Sequence, residues 1–334
     1  MPIHFRDLKR LSGLKKFLLK TPFSSRFKSS LFVISPIIHH LKKRVKEKIQ
    51  SWIFPHYGHI KKMNKELLAM NIELEQEGVW LKKSYKYIID ELNLAHEQQM
   101  ALIPPSAPSV KGLQTACYYK PSMKVGGDYY DFFKFNDHLL GIVIADVSGH
   151  GLSAAQVTAM VKMSFYHHFN GEENLEQILT KINTELFNTI KTGHFLTTFL
   201  GVLDLKKRKI RYSRAAHPYP FILRRANKTL IELDTKGMML GKFPQSQFEQ
   251  KEIDIKSKDR IILYTDGLYE VAYQKKNILG REKLKNFLLN HGHDPLEKFL
   301  ENVLEDRKKY IENIIHEEYV QEDDIVIVTL EIES

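Results

Sequence analysis

The sequence predicts an α+β protein: antiparallel sheets covered by helices, preceded by a helical linker. Three observations lead there. Beyond residue 106, seven runs rich in Val, Ile, Leu and Tyr alternate with four stretches of helical apolar spacing, and no internal repeat relates them. Between 60 and 103 an apolar residue recurs at every seventh position. Hydrophobic residues make up 43% of the 334 and aromatics 11%, enough for a sizeable core, which excludes wholesale disorder.

The first zone, 1–59, is a basic arm. Residues 1–62 hold fifteen Lys/Arg against Asp7 and Glu47, a charge of +13, so the other 272 residues carry 10 − 13 = −3. The net charge of +10 therefore belongs to the arm and says nothing about the main domain's partner. Basic clusters (Lys42, Lys43, Arg44, Lys46, Lys48) alternate with apolar pieces at 17–19 and 31–38, and Pro22, Pro36 and Pro55 are expected to break the zone into short segments. Basic residues beside Phe, Leu and Trp52 suit an anionic membrane surface; a basic docking segment or degenerate sensor domain is the plainer alternative. Nucleic acid is not an expected partner, because no recognisable binding module accompanies the charge. The apolar run at 31–38 is too short to span a bilayer and poorly shaped for a signal peptide. With Cys117 as the single cysteine, there is no disulfide framework, and a reducing, cytoplasmic setting is expected, with the inner membrane face as a peripheral option.

The second zone, 60–103, reads as a helical coiled-coil linker. Ile60, Leu67, Leu74, Leu81, Ile88, Ala95 and Leu102 form one seam. The second seam, Met63, Met70, Glu77, Ser84, Glu91 and Gln98, decays to polar, and Gly78 costs about 1 kcal/mol of helix stability relative to Ala. Such a marginal seam suits a homodimer that can change its pairing; an ordinary amphipathic helix packed on the next domain is the alternative. Pro104-Pro105 ends it.

The third zone, 104–334, is the main domain. Strands are expected over 129–135, 139–145, 195–203, 209–215, 220–224, 260–265 and 325–332, and helices over 153–169, 175–191, 281–290 and 295–315. The acids sit at the strand ends. The run 139–145 meets Asp146, the run 260–265 meets Asp266, and Asp323-Asp324 precede 325–332. Asp128 follows Gly126-Gly127 and opens a strand that turns at Asn136-Asp137, so hairpin geometry sets Asp128 beside Asp146. If the strands ending at Asp266 and starting after Asp323 run antiparallel, four carboxylates gather at one rim. Clustered carboxylates repel unless cations neutralise them. Hard Mg²⁺ or Mn²⁺ fits, since neither thiolates nor a paired-histidine spacing is there for zinc. Two such ions make a hydrolytic site for phosphoryl groups.

These residues also carry a resemblance. VGGDYYDFF at 125–133, IADVSGHGLSAA at 144–155, TTFLGVLD at 197–204, AAHPYPFILRR at 215–225, MLG at 239–241, DRIILYTDGLYEV at 259–271 and EDDIVIVTL at 322–330 come in the order and spacing of one family. Over about 100–332 the chain resembles the bacterial PP2C-like serine phosphatases of the SpoIIE/RsbU type. The resemblance implies an α-β-β-α sandwich of two antiparallel sheets, and hydrolysis of phosphoserine or phosphothreonine by a two-metal-activated water. It implies Asp128, Asp146, Asp266 and Asp323 as metal ligands with the Val147 carbonyl beside them, and Asp323 rather than Asp324 as the last. The implied substrate is a phosphorylated regulatory protein, most often a STAS-type anti-sigma-factor antagonist.

The arginine with which eukaryotic-type relatives hold phosphate has no evident match. Lys120 and Lys124 are the substitutes in view, and His150 in the SGHG loop is a general-acid candidate with a turn-building role as its rival. His217 follows Ala216 where glycine is more usual and reads as structural or substrate-proximal. His39-His40, His167-His168 and His291/His293 read as surface residues without partners. A catalytically silent phosphatase-like binding module and a membrane-surface scaffold are the rival functions.

Overall fold

Strands buried on both faces should be apolar at nearly every position, and two stretches are, with Arg260, Thr329 and Glu331 as their polar residues. Ile325–Ile332 and Arg260–Tyr264 are almost wholly buried along their lengths and lie side by side in a sheet. The computed structural model describes residues 26–333 apart from 275, 316–320 and 322, with side chains from residue 35 onward, that of 277 excepted. The apolar piece at 17–19, part of that at 31–38, and Pro22 lie outside the described side chains.

The chain divides into two compact units, Met1–Tyr85 and Lys86–Ser334. One helix, α1 (Arg26–Leu102), supplies the described part of the first unit and the first turns of the second. The expected break into short segments is overturned, since α1 runs through both Pro36 and Pro55. An interior proline costs about 3 kcal/mol by removing one amide donor, and the helix nonetheless continues on both sides of each proline. In the first unit Ile60, Leu67, Leu74 and Leu81 all lie exposed, from 52% at Leu67 to 64% at Leu81. Ala95 and Leu102, later in the same seam, are half-buried within the second unit.

The second unit is the expected sandwich. One sheet has the order β1 (Leu113–Lys120), β12 (Ile325–Ile332), β9 (Arg260–Tyr264), β6 (Phe221–Arg224), β7 (Thr229–Glu232). The other has β2 (Asp128–Lys134), β3 (Leu139–Val147), β4 (Leu196–Asp204), β5 (Lys209–Ala215), β8 (Gln250–Asp254). Every pairing is antiparallel. A small hairpin, β10 (Ala272–Tyr273) and β11 (Lys276–Asn277), stands apart. The pleat sorts side chains between two cores. Val326, Val328 and Leu330 join Ile142, Ile144 and Phe199 between the sheets. Ile325 and Ile327 instead meet Phe299, Val303 and Leu288 from α4 (Gly280–Asn290) and α5 (Leu296–Ile314). On the far side, α2 (Leu152–His168) and α3 (Leu175–Thr189) cover the second sheet through Val161, Phe165, Leu179 and Ile182. The sandwich brings the ends of β2, β3, β9 and β12 to one rim.

Candidate metal centre

The hairpin sets the first pair of acids. Asp128 stands directly opposite Asp146 in the β2–β3 register. The second pair follows from β12 lying antiparallel to β9, with Ile327 opposite Tyr264. Thr265 N–H donates to Val326 O at 3.1 Å and Val326 N–H to Thr265 Oγ1 at 2.9 Å. Asp266 and Asp323 therefore share an edge, as the strand ends predict. Asp128 forms the floor at 2% exposure, Asp146 and Asp266 are half-buried, and Asp323 lies on the open side.

Asp323 and Asp324 do different work. Asp324 is buried and its oxygens are spent: Oδ1 accepts from Ser122 N–H at 2.7 Å and Ser122 Oγ–H at 3.0 Å, and Oδ2 from Gly127 N–H at 2.6 Å. It ties the Gly126-Gly127-Asp128 loop to the start of β12. That tie requires glycine at 126, where a Cβ would collide with the Asp324 carboxylate. At 127 a Cβ would sit 2.6 Å from the Val147 carbonyl oxygen, whose own amide donates to Gly127 O at 3.2 Å. Asp323 Oδ1 accepts only the Asp324 amide, at 2.8 Å, and its carboxylate faces Asp266.

Burial and mutual repulsion raise the pKa values of the rim acids. Burial, then the charges of Asp146 and Asp324, push the Asp128 carboxyl well above the carboxylate range. Burial and the charges of Asp266 and Asp323 push Asp146 up to about 8, and burial with Asp266 pushes Asp323 up to about 6. Asp266 is raised too, by burial and then Glu270. Asp128 Oδ2 is buried with no hydrogen-bond partner. Hard oxygen donors, an orphaned carboxylate oxygen and mutual repulsion fit divalent cations such as Mg²⁺ or Mn²⁺. No three of these aspartates bring oxygens mutually within 4.8 Å, so the rim is wider than one tight coordination shell.

Several supporting residues escaped sequence reading. Gln99, buried on α1, donates from Nε2 to Gly126 O at 2.6 Å and accepts the Gly126 amide on Oε1 at 3.0 Å. Arg307 on α5 donates to Leu268 O at 2.8 Å and Gly267 O at 3.0 Å, fixing the turn that carries Asp266. His194 Nδ1 lies 2.6 Å from Ser148 O and steadies the 148–151 loop. Their partners lie 27 to 46 residues away, and no local spacing announces them.

The substitute cations are not brought in by any bond. Lys120 and Lys124 are exposed, and only their carbonyls are engaged, by Gln321 and His96. His150 is an exposed imidazole on the loop. The cations beside the rim are instead Arg214 and Arg281, which line a cavity of about 270 Å³ with Asp266, His217, Tyr219 and Glu270. Arg214 spends its donors on the Thr235 and His217 carbonyls. His217 is buried, paired through Nδ1 with the Thr197 hydroxyl at 2.8 Å, and burial holds its pKa down near about 3, so the imidazole is neutral. Ala216 takes φ 57°, the left-handed region where glycine is free and alanine strained by about 1 kcal/mol. The histidine doublets also need correcting. His168 meets Glu185 at 2.8 Å, and His291 meets Asp294 at 2.9 Å and Asp306 at 3.0 Å; helix packing supplies Glu185 and Asp306 from 17 and 15 residues away, and Asp294 is three residues on.

A helix-covered double sheet with acids from both sheets at one rim is the PP2C type of protein phosphatase architecture. The chain belongs to the family Stage II sporulation protein E (SpoIIE), which matches residues 136–333, and thus to the protein serine phosphatases. The GGD loop lies just ahead of the matched stretch. The phosphoserine phosphatase RsbU of Bacillus subtilis (strain 168) is 24% identical over 244 residues, 73% of this chain and 72% of RsbU. Phosphoserine phosphatase RsbP of the same organism is 26% identical over 219 residues, 64% of this chain and 52% of RsbP. Among solved structures, the SiaA-PP2C domain of Pseudomonas aeruginosa superposes with a TM-score of 0.65 at 20% identity, covering 75% of this chain and 99% of that domain.

Proposed function

We propose that this chain hydrolyses phosphoserine or phosphothreonine on a regulatory protein, with two Mn²⁺ or Mg²⁺ ions as cofactors. The observation that carries it is the convergence of Asp128, Asp146, Asp266 and Asp323 with raised pKa values and an orphaned Asp128 oxygen. These four would hold the ions, with the Val147 carbonyl beside them. Divalent cations bound there supply the positive charge that phosphoryl hydrolysis needs and lower the pKa of water in the site. The chain's own part is positional. Asp324 and Gln99 fix the loop that presents Asp128, Arg307 fixes the turn that presents Asp266, and the cavity bearing Arg281 and Tyr219 offers a cationic, aromatic wall for the substrate peptide. Likeness to RsbU and RsbP supports a signalling phosphoprotein as substrate, with a STAS-type anti-sigma-factor antagonist as the preferred case.

The first unit serves as the regulatory arm in this reading. The exposed seam from Ile60 to Leu81 supports a homodimer, and the +13 charge of residues 1–62 supports attraction to an anionic membrane. Among the described residues no helix is long and apolar enough to cross a membrane. Replacing Asp146 or Asp266 by Asn should reduce p-nitrophenyl phosphate hydrolysis about 100-fold or more, the scale of losing one group that stabilises developing charge, with the circular dichroism spectrum unchanged. Wild-type rates in both variants would reject the aspartate rim as the reactive site.

A further inference from the structure

Outside the aspartate rim, the ends of two helices bring a second set of ligating side chains together. His167 and His168 close α2, and Glu185 lies on α3, which packs against it. One ligating atom from each of His167, His168 and Glu185 lies within 4.8 Å of the others. The two imidazoles stack with centroids 4.5 Å apart at 26°, and His168 Nε2 is 2.8 Å from Glu185 Oε2. That same Glu185 oxygen accepts the Ser164 hydroxyl at 2.7 Å, one turn before His168, so the carboxylate is already aimed at the imidazoles. His167 is exposed while His168 and Glu185 are half-buried, leaving one side open to solvent.

Two imidazole nitrogens and one carboxylate oxygen are a borderline donor set. Zn²⁺ and its neighbours favour it, whereas Mg²⁺ favours oxygen alone. Ligands at about 2.0–2.2 Å from one ion stand roughly 3.4 Å apart in a tetrahedron. The observed spread therefore closes with a small turn of the exposed His167 ring. Three protein ligands leave the fourth position for water.

We propose that His167, His168 and Glu185 form a site for a divalent transition-metal ion of the Zn²⁺ class, separate from the aspartate rim, and that its occupation fastens the C-terminal end of α2 to α3. The test is a Zn²⁺ titration of the full-length protein in excess Mg²⁺, followed by calorimetry and by native mass spectrometry, for wild type, His167→Ala and His168→Ala. Wild type should bind one more Zn²⁺ than either variant and gain thermal stability that both variants lack, while Mg²⁺-dependent phosphatase activity is the same in all three. His168→Ala also removes the hydrogen bond to Glu185. His167→Ala alters only an exposed ring, and so tests the site without that loss. If either variant keeps the wild-type zinc stoichiometry with affinity within twofold, the cluster is an interhelical hydrogen bond and the proposal fails.

Discussion

At the scale of single residues, the carboxylates make a pH signature. Asp146 titrates near about 8 in the folded, cation-free protein, against about 4 in an unfolded chain. The folded state thus holds more protons through that window, and its stability falls as pH rises through it. The cation-free protein should therefore melt at lower temperature at pH 8 than at pH 5.5, and added Mg²⁺ should recover most of the loss at pH 8. Asp146→Asn should flatten the pH dependence, because the repelling charge is gone. A steeper dependence in Asp146→Asn than in wild type would contradict a shift that burial and the neighbouring carboxylates produce at Asp146. All four acids were legible in the sequence because each sits where an apolar run starts or stops. The division of labour between Asp323 and Asp324 was not, since adjacent residues at a strand entrance are told apart by the donors that face them: four donors crowd Asp324, and one reaches Asp323. Gln99, Arg307 and His194 stayed hidden for the same reason.

Among the secondary-structure elements of the two main sheets, the strands that were missed have a common cause. β1, β7 and β8 went unread, and each is the outer strand of its sheet. An outer strand keeps one edge and part of one face in water, so it tolerates Gln, Lys and Glu and loses the continuous apolar run that marks β9 or β12. The central strands and all four helices of the sandwich were legible within a few residues, because burial on both faces or a 3.6-residue stripe leaves little choice of composition. α1 shows the reverse error: proline argued for breaks at 36 and 55, and the helix runs through both. The seam on α1 leads to a prediction about mass. The whole chain should sediment as a dimer at micromolar concentration, and a chain beginning at Lys86 as a monomer, because Ile60, Leu67, Leu74 and Leu81 have left with the first unit. The same oligomeric state for both would remove the seam from the explanation.

For the whole molecule, charge and chemistry are segregated along the chain. Fifteen of the cationic residues lie within 1–62, and all four rim acids lie beyond 125. If the arm attracts an anionic surface, co-sedimentation with acidic vesicles should fall steeply between low and 0.3 M salt, since each Lys or Arg contributes about 1 kcal/mol and only within a Debye length of about 10 Å at 0.1 M. Equal sedimentation with neutral and acidic vesicles would assign the arm to another partner. The catalytic claim stands apart from that outcome. Its most direct test is release of phosphate from a phosphoserine peptide by the purified full-length chain, with Mn²⁺, with Mg²⁺ and with a chelator, beside Asp128→Asn. Cation-dependent release that the chelator abolishes, and that Asp128→Asn lacks, is the predicted result. Release that is equal with cation and with chelator, or undiminished in Asp128→Asn, would contradict a phosphatase whose site is built on these aspartates.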